Sequence, residues 1–417
     1  MAHDIRHHRL RAFVAAAADE VRMPGVAVGV WLGGHETYAC HGVTSLENPV
    51  PVDRDTAFLL GSVTATYTAT ALMCLVADGQ VQLTAPVRDY LPELRLADER
   101  ATAEITVLHL LNHTSGLDWG VIADTGEGAD ALARYVSRLG EVEQVAPPGM
   151  RPSYSQAGFN MAGRILEKVT GMSYERAIAS LLFEPLGLAH SFFARDDIMT
   201  RRFSVGHNLG QDDRMHVARL WRRARGDNPG GGIASSAADQ LRWAAFHLGD
   251  GHVNGSGRVL PAEVLAQMME PTVTLRGSTL GDAIGLGWFV RELDGVRAVG
   301  HGGTANGQFA ELLMVPAHDF AVVSLANAGP DGLAFNQAVV RWALQTYLGL
   351  TDRGSARLPY DETRRPGSPR RDPVAVMTSA IGADGGRRWL GALMRPEIMG
   401  IDLGGRLLHR LARDPGR

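Results

Sequence analysis

The stretch Leu60-Gly61-Ser62-Val63-Thr64-Ala65-Thr66-Tyr67-Thr68-Ala69 decides the reading of this chain. It opens an apolar run that continues to Asp78, where Gly79 supplies a helix stop. The pattern predicts a buried helix from about Ser62 to Asp78 with a serine in its first turn. The first turn of a helix presents free backbone N–H groups and the positive end of the dipole. Both suit a hydroxyl at which negative charge develops. A serine there also suits a plainer role, as a helix cap or a small packed residue. Residue 65, one turn beyond, is alanine, which favours the helix and brings no chemistry.

Two further segments bear on the choice. Pro147-Pro148-Gly149 precedes Tyr154-Ser155-Gln156-Ala157-Gly158-Phe159-Asn160. Gly300-His301-Gly302-Gly303-Thr304 precedes an apolar run, Gln308 to Val315, that reads as a strand. Glycines beside a strand allow another backbone or a substrate to approach closely. Taken singly, Tyr154 is a packed aromatic and His301 a surface residue on a glycine turn.

Taken in order, the three segments resemble the serine β-lactamase and penicillin-binding superfamily, class C type. Ser62-Val63-Thr64-Ala65 is similar to its S-x-x-K nucleophile motif, with alanine in place of the lysine. Tyr154-Ser155-Gln156 resembles its Y-x-N element, with glutamine in place of asparagine. His301-Gly302-Gly303 resembles its third motif, K-T-G or H-G-G. The likeness runs through about residues 20–350, including Leu110-Leu111-Asn112-His113-Thr114-Ser115-Gly116-Leu117 and Pro229-Gly230-Gly231-Gly232-Ile233. It implies a Ser62 acyl-enzyme and a proton relay through Tyr154. It also implies substrate or oxyanion contacts from Gln156, His301, Gly302, Gly303 and Thr304. The lysine it implies at position 65 would set an amine beside the Ser62 hydroxyl. Serine is a weak nucleophile without a neighbour to take its proton. The segment around Ala65 is otherwise intact, so it reads as a lysine-to-alanine change that disarms the enzyme.

Other chemistries find less support. His109 and His113 have zinc-ligand spacing on a helix, but no glutamate follows the first, so the metalloprotease pattern is absent. No metal and no cofactor are expected, and the resemblance implies a structural role for both histidines. No serine has a G-x-S-x-G context. Arg222, Arg223 and Arg225 read as a solvated face or a loop over the cleft. A net charge of −4 gives no reason to expect nucleic acid, and no apolar run is long enough to predict a membrane span. The segment Met1 to His8 lacks the apolar core of a signal peptide, so a cytoplasmic protein is expected. Cys40 and Cys74 read as small buried residues.

The expected fold class is α/β (α+β): a mostly antiparallel sheet flanked by helices, with a large helical insert. Residues 5–22 read as an amphipathic helix, and Val26–Leu32 with Glu36–His41 as a hairpin about Gly33-Gly34. Strands return at Gly285–Val290, Val296–Val299, Gln308–Val315 and Phe320–Leu325, before a helix near 333–347. Residues 1–60 and 270–350 then form the sheet subdomain and 61–269 the helical one. Residues 351–373 read as a linker and 374–417 as a tail. The expected partners are a small-molecule acyl donor and an amine or alcohol acceptor. Three readings stay open: a disarmed esterase or transacylase, a β-lactamase or D-amino-acid peptidase, and a non-catalytic binder.

Overall fold

A computed structural model describes residues 2–118, 124–221, 224–253, 257–276 and 278–352. The expected linker and tail, apart from residues 351 and 352, lie outside the described residues, as do Arg222 and Arg223. The chain is an α+β protein built on one eight-stranded antiparallel sheet. In chain order its strands are β1 (Gly25–Leu32), β2 (His35–Gly42), β3 (Val273–Thr274), β4 (Ala283–Ile284), β5 (Phe289–Leu293), β6 (Val296–Ala305), β7 (Gln308–Val315) and β8 (Phe320–Ala326). Their order across the sheet is β3-β4-β5-β6-β7-β8-β1-β2. The first hairpin turns on Gly33 and Gly34, both at positive φ, the backbone that matches strand twist. The register then pairs β1 with β8, Val26 opposite Ala326, so segments far apart in the sequence meet in the sheet.

Both faces of the sheet are covered, and side chains alternate between them. On one face Val26, Val28, Val30 and Val322 meet two helices, α1 (Ala2–Glu20) and α5 (Gly332–Ala343). Leu10, Val14 and Ala18 supply the apolar stripe of α1, at the four-residue spacing of one helix face. Phe13 stacks on Trp342 at 4.7 Å to tie α1 to α5. On the other face Ala27, Leu312, Val323 and Leu325 join a core with α2 (Thr64–Ala77), α3 (Gln156–Thr170) and α4 (Ala237–Leu248).

Helix α2 runs through the middle of this second core and is buried from Thr64 to Leu75. Buried threonines weaken a helix unless their hydroxyls are satisfied. Here Thr66 donates to Val63 O, Thr70 to Thr66 O and Thr68 to Pro229 O, each at 2.7–2.8 Å.

Several expected boundaries shift. Helix α1 begins at Ala2, and α2 at Thr64 behind a 3-10 turn, Gly61–Val63. The expected strand Gly285–Val290 falls mostly on the turn between β4 and β5, where Gly287 has φ +77°, and only Phe289 and Val290 of it are strand. Strand β6 runs on to Ala305, so His301–Thr304 is strand and not a glycine turn. The helical insert also carries short strands, among them Ser191–Phe192, His207–Leu209 and Ala234–Ser235. Two or three residues are too few to show a period of two.

Candidate active site

The site forms where the turn before α2 meets the end of β6. Gly61 has φ +53°, which turns the chain into the helix. A methyl on Gly61 would stand 2.4 Å from Thr304 O and 2.6 Å from Thr304 N. A methyl on Gly303 would stand 2.0 Å from Leu60 O and 2.8 Å from Ser62 N. Strand and turn therefore touch backbone to backbone, and only glycine fits at either point. This contact brings the amides of Ser62 and Thr304 to one place. Strand β5 pairs with β6 only as far as Gly300 opposite Phe289, so residues 301–305 have no strand partner on that side.

Ser62 is partly exposed, in the 3-10 turn that leads into α2. The plainer reading of it as a helix cap fails, because neither this turn nor α2 has a side-chain cap. Its hydroxyl instead lies within interaction reach of the Tyr154 phenol. Ala65 lies in the first turn of α2, 2% exposed. Tyr154 is buried against Leu275, Ile284 and Phe289. Burial pushes its phenol up to about 12, against a smaller opposing effect of Ser62. It is neutral near pH 7.

Gln156 is the first residue of α3. A methyl on Gly231 would lie 3.8 Å from its amide nitrogen and 3.7 Å from the Gly61 carbonyl carbon. The amide thus stands near the serine turn despite its extra methylene. His301 is 3% exposed, not a surface residue. Its ring lies 5.0 Å from Phe289 and 6.4 Å from Tyr154. Nδ1 donates to Gly302 O at 2.6 Å, while Nε2 is buried with no hydrogen-bond partner among the described residues. Burial lowers this imidazole to about 4. The structure thus brings Ser62, Tyr154, Gln156 and His301–Thr304 together.

His113, read from sequence as structural, also belongs to this cluster. Its ring stacks on Tyr154 at 4.4 Å and is 3% exposed. Burial first, and His301 second, lower it to about 3. Its φ of +58° is a left-handed backbone on a side-chain-bearing residue, a strain of about 1–3 kcal/mol. The sequence held one signal for this. The preceding helix, Val107–Leu111, ends on Asn112, and the next position, where glycine is usual, is His113. His109 does separate work. Its Nδ1 accepts the Thr106 N–H, and its ring lies under Gly149. No group of metal-ligating side chains occurs among the described residues. Arg225, read as part of a solvated face, makes a two-pronged bond to Glu175.

The cluster holds hydroxyl, phenol and two neutral imidazoles, with no ammonium group. Lys168 is the only lysine in the chain. It pairs with Glu93 at 3.3 Å, and twelve residues of α3 put it about 18 Å from Gln156.

A family profile described as Beta-lactamase matches residues 10–347, and the chain belongs to that family. It is 34% identical to penicillin-binding protein 4 of Amycolatopsis lactamdurans, across 89% of this chain and 96% of that one. It is 27% identical to esterase EstB of Burkholderia gladioli, across 78% and 91%. Among solved structures it is similar to that of SurE, with a TM-score of 0.72, 25% identity and coverage of 90% and 82%. The frame is therefore that of a family of serine hydrolases. Among the described residues, no helix is long and apolar enough to cross a membrane.

Proposed function

We propose that this chain is a serine acyl-transfer enzyme of the esterase or transacylase kind, disarmed by alanine at position 65. The observation that carries the reading is the convergence of the Ser62 hydroxyl and the Tyr154 phenol at the foot of a glycine-bearing strand. Ser62 Oγ attacks an ester or amide carbonyl carbon, and the bond to the leaving group breaks. The serine proton passes through Tyr154 to that leaving group. The Ser62 and Thr304 amides hold the oxyanion, an interaction of about 3 kcal/mol. Gln156 and His301 contact the substrate. Water, an amine or an alcohol then releases the acyl group.

What the frame lacks is a base. A neutral phenol pushed up to about 12 holds its proton too tightly to start the reaction unaided. Ala65→Lys is expected to raise acyl-enzyme formation by roughly 10² to 10⁴, the usual worth of general-base catalysis. Intact mass after exposure to a panel of activated esters and β-lactams reads this directly, with Ser62→Ala as the blank. No adduct on Ser62 from any of them would remove the reading.

The relatives bear the names penicillin-binding protein, β-lactamase and esterase, which supports acyl chemistry without choosing a substrate. One observation favours a second reading. A chain with alanine at 65 and no other lysine near the serine would also serve as a ligand-binding protein. Ligand binding that survives in Ala65→Lys without any acylation would favour that alternative.

A further inference from the structure

Three consecutive residues, Ser153, Tyr154 and Ser155, are gripped by a single one, His113. The Ser153 N–H donates to the His113 carbonyl at 2.8 Å. The Ser155 N–H donates to the His113 ring at Nδ1, 3.1 Å. Between these two bonds the imidazole stacks on the phenol of Tyr154. The neighbouring turn completes the hold, since Ser153 Oγ donates to Leu117 O and Ser155 Oγ to Asp118 O, both at 3.0 Å. Next to His113, Asn112 Oδ1 accepts from the Thr114 hydroxyl at 2.6 Å and fixes the left-handed turn.

We propose that His113 is the positioning residue that holds the Tyr154 phenol on the Ser62 hydroxyl, and that its Nδ1 acceptor is the operative group. A stacked ring permits sliding, whereas a hydrogen bond fixes distance and direction. Accepting at Nδ1 also commits the ring proton to Nε2, so one tautomer is selected. The left-handed backbone is what turns Nδ1 toward the segment that carries Tyr154. The strain at His113 is thereby tied to a placement task, in the sense that strained residues gather at working sites. The inference rests on the acyl-transfer reading for its use, but its geometry can be tested without any turnover.

The test uses the full chain with tyrosine labelled at 13Cζ. There are eight tyrosines, and Tyr154→Phe assigns the resonance. In the parent, Ser62→Ala moves the Tyr154 signal, because the phenol loses its partner. His113→Gly suits φ +58° and removes the acceptor, so this response is expected to vanish. His113→Asn tolerates the same backbone and keeps an oxygen where Nδ1 stood, so the response is expected to persist. A response that persists in His113→Gly overturns the proposal, as does one lost in folded His113→Asn. Should His113→Gly not fold, His113→Asn decides alone in the same terms. In the Ala65→Lys background, His113→Gly is expected to slow Ser62 labelling about 10²-fold, the effect of a small misplacement, and His113→Asn far less. If Ala65→Lys labels nothing while the resonance still depends on residue 113, the acyl-transfer reading fails and the positioning role stands.

Discussion

Gly303 and Ser62 meet so closely that the identity of one residue decides whether the site exists. A β-carbon at 303 would enter the Leu60 carbonyl at 2.0 Å, and backbone does not yield as a side chain can. Gly303→Ala is expected to destabilise the protein by about 1–3 kcal/mol, as overpacked sites do. It should also part the serine turn from β6 and weaken the Ser62–Tyr154 interaction. Urea unfolding measures the first effect, and a midpoint unchanged within experimental error would deny the contact. At this scale the sequence was largely legible. Ser62 stood at the head of an apolar helix, Tyr154 followed a proline turn, and the glycines lay beside a strand. His113 was not, because its role depends on a left-handed backbone and on Ser155, forty-two residues away. Neither leaves a periodic trace.

Strand β6 shows why an element can outrun its sequence signal. Its first half, Val296–Val299, carries three apolar side chains, whereas Gly300–Thr304 has too few side chains to show any period. Pairing with β7 carries the strand on to Ala305. On β7, opposite Gly302, stands Glu311, 8% exposed. Its Oε2 lies 2.8 Å from where a Gly302 β-carbon would be. Burial raises this carboxyl, while Arg291 on β5 lowers it and Asp352 raises it further. A raised carboxyl means the folded state binds its proton more tightly than the unfolded chain. Its stabilising contribution is full below the ordinary glutamate value, near 4.3, and is lost as pH rises through the folded value. Glu311→Gln should therefore raise Tm at pH 8 and leave it unchanged at pH 4. A thermal melt at the two values checks this, and equal shifts at both would tie Glu311 to something other than its charge.

Among the described residues, histidines lowered by burial outnumber such carboxyls. Burial lowers His113 to about 3 and His247 and His301 to about 4, and it lowers His109 and His207 as well. Against them, among the described residues, stand Glu311 and Asp239, both raised. An unfolded histidine takes a proton near 6.5, which these folded ones refuse. The unfolded state then binds more protons, so stability falls as pH drops from about 6.5 toward 4. The urea midpoint should decline through that range, and replacing His247 with Gln should flatten the decline. A midpoint flat from pH 6.5 to 4 would contradict the burial of these rings. The sheet that encloses them was legible in outline, because long apolar strands flank a helical middle. The short edge strands were not, because two residues carry no pattern. The pairing of Val26 with Ala326 has one more consequence, for the order of assembly. On a growing chain, Ser62, Tyr154 and Gln156 leave the ribosome well before Gly303 and β8 are made. Contacts so distant in sequence form slowly. A nascent or truncated chain that stops short of residue 300 therefore holds Ser62 and Tyr154 with no strand beneath them, and the site is complete only with the last part of the sheet.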